Sequence, residues 1–219
     1  MNRPRVIINC AMSADGKIAL PDRKQMKISS EEDMKRVFQL RNACDAILVG
    51  IGSILSDDPK LTVKEKYVSD PKHPLRVVLD SLCQTPEDAL VVNDKAPTLI
   101  MVKEGLICEK KYGNHVDIIH CPSNEGRLDL HTVLSILYKK QVSTLLVEGG
   151  GSVIWEFLSK RLVDDLYVFV GSIIIGGDHT PTMADGMGIR SQEEVINLNL
   201  VNTTHIDGGM LVHYTLVDE

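Results

Sequence analysis

Hydrophobic positions along this chain gather into short runs separated by polar or glycine-bearing turns, and their period shifts from run to run. Val6-Ile7-Ile8-Asn9-Cys10-Ala11 reads as a buried strand. Ser29-Ser30-Glu31-Glu32-Asp33 then opens a helix, with Ser29 and Glu32 at capping-box spacing and an apolar stripe of Met34, Val37 and Phe38. Arg41 lies one turn beyond Phe38, at the edge of that buried face, where a cation normally needs an anion. Ala46-Ile47-Leu48-Val49 predicts a second strand, followed by Gly50-Ile51-Gly52-Ser53 and a polar turn at Ser56-Asp57-Asp58-Pro59. A third strand is expected from Leu75 to Leu79.

Short β-like runs at Ala89 to Val92, Thr98 to Val102 and Val116 to Ile119 precede an amphipathic helix from Leu130 to Lys140, with Leu130, Val133, Leu134 and Leu137 in register. Thr144-Leu145-Leu146-Val147 ends in Glu148-Gly149-Gly150-Gly151-Ser152 and runs into a helix carrying Ile154, Phe157, Leu158 and Leu162. Leu166 to Val170 is apolar, and Leu198 to Ile206 and Met210 to Leu216 meet at Asp207-Gly208-Gly209, which reads as a hairpin. Alternating strands and helices predict an α/β fold, with a mostly parallel central sheet flanked by helices and a C-terminal antiparallel hairpin. Without a repeat, low-complexity tract or linker to divide it, the chain reads as a single domain over 1–219.

Composition narrows the function classes. With 24 Lys plus Arg against 30 Asp plus Glu, the formal charge is -6, which argues against nucleic acid or an anionic membrane as the main partner. A local basic pocket is compatible with that balance. The longest apolar runs fall far short of a bilayer span, and Met1-Asn2-Arg3-Pro4-Arg5 leads into a strand and not a signal segment, so a soluble, cytoplasmic protein is expected. Five cysteines, at Cys10, Cys44, Cys83, Cys108 and Cys121, lie far apart without a C-x-x-C pair and are expected to be reduced.

Among candidate chemical motifs the strongest is Val147-Glu148-Gly149-Gly150-Gly151-Ser152. Glycines between a strand end and a helix start let backbone N–H groups approach a phosphate at the positive helix terminus. The alternative, a tight turn and nothing more, stays open. Gly50-x-Gly52 also follows a strand, but Leu55 stands where the third glycine of a dinucleotide fingerprint belongs, and no P-loop sequence is present. The histidines His73, His115, His120, His131, His179, His205 and His213 form no ligand-spaced pair, so no metal is expected. The H-x-E and P-C-x-x-C signature of a zinc deaminase is missing. Asp15-Gly16-Lys17 and Asp57-Asp58-Pro59 each follow a strand and read equally as ligand-facing or as ordinary turns. Glu148 reads as ligand-facing, whereas Trp155 and Met12 read as core.

Taken in order, Met12-Ser13-Ala14-Asp15-Gly16-Lys17, Gly50-Ile51-Gly52-Ser53 with Asp57-Asp58-Pro59-Lys60-Leu61-Thr62-Val63, Leu79-Asp80-Ser81, and Val147-Glu148-Gly149-Gly150-Gly151 resemble the riboflavin-biosynthesis reductase family. The likeness continues through Leu162-Val163-Asp164-Asp165 and Gly176-Gly177 and covers nearly the whole chain. It resembles the stand-alone archaeal and fungal type and is similar to the C-terminal reductase domain of the bacterial bifunctional deaminase-reductase. The resemblance implies a dihydrofolate-reductase-like fold, a homodimer and NADPH as hydride donor, with NADH open. It puts the cofactor against Ala11, Ser53, Asp57, Ser81, Gly149, Gly150, Gly151 and Ser152, and the substrate against Arg41, Leu61, Lys64 and Glu148. The substrate's 5′-phosphate would then be the anion that Arg41 awaits, reinforced by Lys64.

This chain departs from the family in carrying Lys64 where Arg is frequent, and Gln84 where the Asp80-Ser81 loop often has Arg. Arg23-Lys24-Gln25-Met26-Lys27 matches only loosely. The implied reaction reduces the ribosyl group of 2,5-diamino-6-ribosylamino-4(3H)-pyrimidinone 5′-phosphate to ribityl, by hydride transfer to C1′ of the opened sugar. Glu148 is the candidate catalytic residue, holding pyrimidine amino groups or relaying a proton. Three alternatives stay open: the deaminated 5-amino-6-ribosylamino uracil 5′-phosphate as substrate, a pterin- or folate-type reductase, and a non-catalytic nucleotide-binding module.

Overall fold

β-branched residues dominate the first apolar run, and it forms β1 over Arg5–Ser13, longer at both ends than its apolar centre. Helix α1 spans Glu31–Ala43. Its cap lies one residue later than the pattern suggests: the Ser30 hydroxyl accepts from the Asp33 N–H at 3.2 Å. Ser30 and Asp33 therefore replace Ser29 and Glu32, because Asp33 is buried while Glu32 faces solvent.

β2 (Ala46–Gly50) runs straight into a short helix, α2 (Ile51–Asp57). The segment expected to form a loop and turn is thus helical, with Gly50 as its cap residue and Asp58 closing it in the left-handed region at φ 42°. So few residues, with Ile54 buried among them, give a helical period no room to register. β3 (Leu75–Leu79) follows as expected. The strand anticipated at Ala89 to Val92 is instead a 3-10 turn over Leu90–Val92, in which the Val92 N–H donates to the Ala89 carbonyl at 3.0 Å. Val91 and Val92 are buried, and a short buried apolar run carries the same signal in either conformation.

β4 (Thr98–Lys103) and β5 (Val116–Cys121) lead to a small ribbon, β6 (Ser123–Asn124) with β7 (Arg127–Leu128), that the pattern did not announce. α3 (Leu130–Lys139) buries Leu130, Val133, Leu134 and Leu137, the stripe read from spacing. It is capped by Asp129, whose carboxylate accepts from the Thr132 N–H at 3.0 Å and the Thr132 hydroxyl at 2.6 Å. β8 (Thr144–Val147) then gives way to α4 (Gly151–Ser159), β9 (Asp165–Gly171), β10 (Leu198–Ile206) and β11 (Gly209–Leu216).

The computed structural model describes residues 2–24 and 26–217. They fall into two compact units, Met1–Arg5 with Phe38–Leu146, and Val6–Val37 with Val147–Glu219. In the first, the strand order is β8-β2-β3-β4-β5, and β2 to β5 pair in parallel. Ile47, Leu48, Val77, Val78, Ile100 and Met101 are fully enclosed, as the continuous apolar runs of a parallel sheet require. In the second, the order is β10-β11-β9-β1, with β1 and β9 parallel and the C-terminal hairpin antiparallel. Mostly parallel strands with an antiparallel end are the architecture expected from the sequence.

Cys83 and Cys108 form a disulfide, their Cα atoms 5.9 Å apart, which corrects the expectation of five reduced cysteines. The two lie 25 positions apart, a spacing no short motif encodes. Cys10, Cys44 and Cys121 are buried and outside the disulfide. Among the described residues no helix is long and apolar enough to cross a membrane, and no three His, Cys, Asp or Glu side chains gather as metal ligands would.

Candidate active site

In the first unit, Arg41 and Lys64 converge on one aromatic ring. The Arg41 guanidinium carbon lies 5.0 Å and the Lys64 Nζ 5.2 Å from the centroid of Phe38. Phe38 itself stacks on Tyr67, with centroids 4.9 Å apart and planes within 7°. Arg41 also donates to the Thr62 carbonyl at 3.3 Å. Each cation gains on the order of 0.5–1 kcal/mol from the ring. Phe38, which the pattern assigns to core, is also the platform for both cations. Its place three residues before Arg41 was the available signal.

Leu61 is 2% exposed and adopts φ 49°, a left-handed conformation that costs a leucine roughly 1–2 kcal/mol. The flanking contacts hold it there: Thr62 and Val63 are buried, and the Val63 N–H donates to His73 Nδ1 at 3.4 Å. Ser53 and Asp57 stand four residues apart on α2 and so share a face. Ser81 follows β3. Because Gly50 and Leu79 are paired at the ends of β2 and β3, the segments carrying Ser53 and Ser81 leave the carboxyl ends of adjacent parallel strands, where α/β sheets usually bind ligands. Asp80, quoted from the sequence only as part of a motif, organises the second of these. Its fully buried carboxylate accepts from Gln84 N–H at 2.9 Å, and from the Thr85 N–H and hydroxyl at 2.7 Å each.

The second unit holds Ala11, Glu148 and the glycine loop. Gly149 takes φ 102°, which an L side chain rarely adopts, and the Gly149–Gly150 peptide is cis. A Cβ on Gly151 would fall on the Thr182 carbonyl oxygen and 2.9 Å from Asp185 Oδ2. Two of the three glycines are therefore explained by the turn itself. What favours an anion is the start of α4: Gly150 occupies the cap position with no side-chain cap, although the Val153 N–H already donates to the Gly150 carbonyl at 2.9 Å. Glu148 is half-buried beside β1. Burial and then the Glu148 charge push the Cys10 thiol up to about 12.

Asp15 is a loop clasp, accepting from the Ile175 N–H at 3.1 Å and the Gly176 N–H at 2.7 Å. The Ser13 hydroxyl bond first, and the Ile175 bond next, hold its carboxyl down to about 2. Of the loosely matching segment Arg23 to Lys27, Gln25 lies outside the described residues. A buried network that spacing gave no hint of links α1 to β1. Asp33 Oδ1 accepts from Arg36 Nε at 2.8 Å, and Arg36 Nη2 donates to Asn9 Oδ1 at 2.7 Å, two residues from Ala11.

Comparison with known proteins identifies the family. The 2,5-diamino-6-ribosylamino-4(3H)-pyrimidinone 5′-phosphate reductase of Archaeoglobus fulgidus is 45% identical over 195 residues, covering 84% of this chain and 87% of that one. The reductase of the same name from Methanothermobacter thermautotrophicus is 38% identical over 98% of this chain and 99% of its own length. A solved Thermotoga maritima diaminohydroxyphosphoribosylaminopyrimidine deaminase/5-amino-6-(5-phosphoribosylamino)uracil reductase superposes with a TM-score of 0.83 at 26% identity; this chain spans 57% of its length. Enterococcus faecalis dihydrofolate reductase, at TM-score 0.55 and 13% identity over 98% of this chain and 97% of that one, shows that the fold is dihydrofolate-reductase-like. The RibD C-terminal domain family matches residues 4–212. Through that match and the identity to the archaeal reductases, the chain belongs to the RibD C-terminal domain family of riboflavin biosynthesis.

Proposed function

We propose that this protein reduces the ribosyl group of 2,5-diamino-6-ribosylamino-4(3H)-pyrimidinone 5′-phosphate to ribityl, with NADPH as donor and before deamination. The name shared by the two archaeal relatives supports the substrate. The observation that carries the reading is the convergence of Arg41 and Lys64 on Phe38, which suits a phosphate monoester.

Arg41 and Lys64 bind the 5′-phosphate, and Leu61 packs beside it. Glu148 holds the pyrimidine amino groups or carries the proton released as the sugar ring opens. Ala11, Ser53, Asp57, Ser81 and Gly149 to Ser152 hold the nicotinamide cofactor. The uncapped start of α4 fits its diphosphate, and Asp57 orients it without acting as a base. When bound, that cofactor supplies hydride to the substrate C1′. The protein then mainly orients two ligands.

On the same reading the chain is one domain over 1–219 and acts as a cytoplasmic homodimer. Support for the dimer comes from the edge strand β10, where Leu200 is 61% and Val201 53% exposed.

Steady-state kinetics of Arg41→Ala with the phosphorylated and dephosphorylated substrates tests the phosphate site. Losing a charge-assisted hydrogen bond raises KM for the phosphorylated compound about tenfold to a hundredfold, with kcat nearly unchanged. The dephosphorylated compound should respond little. Equal losses on both would remove Arg41 from the phosphate site.

A further inference from the structure

The loop that carries Ser81 is held from outside by a stretch with no regular structure of its own. Between β4 and β5, Cys108 is bonded to Cys83 of that loop. Two residues on, Lys110 Nζ donates to the carbonyls of Gln84 and Thr85, at 2.7 Å each. The Lys111 N–H donates to Glu87 Oε1, and the Tyr112 hydroxyl to the Thr85 carbonyl at 2.7 Å. Five ties, made by four residues between Cys108 and Tyr112, fix this coil against one loop. None of the five joins strand to strand.

We infer that Lys110 is the residue that selects a nicotinamide cofactor bearing a 2′-phosphate. The inference rests on the proposal that Ser81 meets that cofactor. With the adenosine ribose at that loop, as the inference requires, a 2′-phosphate needs a cation beside it. Gln84, on that loop, cannot supply one. Lys110 places an ammonium there from another part of the chain. An ammonium has three N–H donors, and the two carbonyls take two of them, which leaves the third to point at an added anion. Pinned this way, the side chain has already surrendered the rotamer freedom that a loose surface lysine would lose on binding. Of the nearby carboxylates, Asp80 accepts from Gln84 and Thr85, and Glu87 Oε1 from the Lys111 N–H. The disulfide is the fixture that keeps Lys110 in place.

Equilibrium titration of the full chain with NADPH and with NADH, read by nicotinamide fluorescence, tests this on wild type, Lys110→Ala, Lys110→Arg and Cys108→Ser. Wild type should prefer NADPH. Lys110→Ala should lose about tenfold or more of its NADPH affinity, the worth of one charge-assisted contact, while its NADH affinity holds. Lys110→Arg should keep most of the preference, and Cys108→Ser should weaken NADPH alone. Lys110→Ala losing both nucleotides equally, or neither, overturns the inference while leaving the cofactor reading in place. Failure of wild type to bind either nucleotide removes the cofactor reading, and the inference with it.

Discussion

Single carboxylates do much of the local organising, and each works through partners far away in sequence. Asp45, a third exposed, joins the starts of β2 and β8 by accepting from the Ser143 N–H and from the Thr144 N–H and hydroxyl, each at 3.0 Å. Burial pushes this carboxyl up, but the Ser143 and Thr144 bonds and the Lys72 charge outweigh it and hold it below its ordinary value. A carboxyl so depressed stabilises the fold fully above its unfolded value, about pH 4, and the contribution is lost as pH falls through the lower folded value. Asp45→Asn should therefore cost roughly 1–3 kcal/mol at neutral pH in urea unfolding. The gap to wild type should narrow in acid; a gap that is constant with pH would contradict the ionised role. Asp45, Asp80 and Asp33 were illegible as organisers because their partners are set by folding and not by spacing. The place of Arg41 on α1, at the edge of a buried stripe, was legible because it is itself a spacing.

Elements with a full period of apolar positions could be read directly: α3 buries the four residues its pattern named, and β3 has the ends its pattern gave. α2 and the 3-10 turn at Leu90–Val92 could not, since each is shorter than the window that separates a helical period from a strand. The start of α4 shows how an element's boundary is chosen by packing. Gly151→Ala would drive a methyl onto the Thr182 carbonyl, whereas Gly52→Ala, within α2, meets nothing within 4 Å. The first should destabilise by roughly 1–3 kcal/mol through overpacking. The second should be neutral or stabilise by up to about 1 kcal/mol, since alanine is the better helix former. Denaturant midpoints of the two variants check this. A Gly151→Ala protein as stable as wild type would mean that the turn at Thr182 to Asp185 does not press on the helix start.

Across the whole molecule the net charge of -6 conceals a local basic feature, Arg41 with Lys64, so overall charge argues against polyanions as the main partner without excluding a small phosphate ester. The α/β plan and the terminal hairpin followed from the sequence pattern, while the disulfide and the ties along Cys108 to Tyr112 are tertiary and left no trace in it. Turnover by the purified protein of NADPH with 2,5-diamino-6-ribosylamino-4(3H)-pyrimidinone 5′-phosphate, beside the deaminated compound and dihydrofolate, is the most direct measurement. The expected result is NADPH oxidation with the diamino compound and, by mass spectrometry, a product that has gained two hydrogens and kept both amino groups. Turnover confined to the deaminated compound or to dihydrofolate, or none with any of the three, would contradict the proposed reaction.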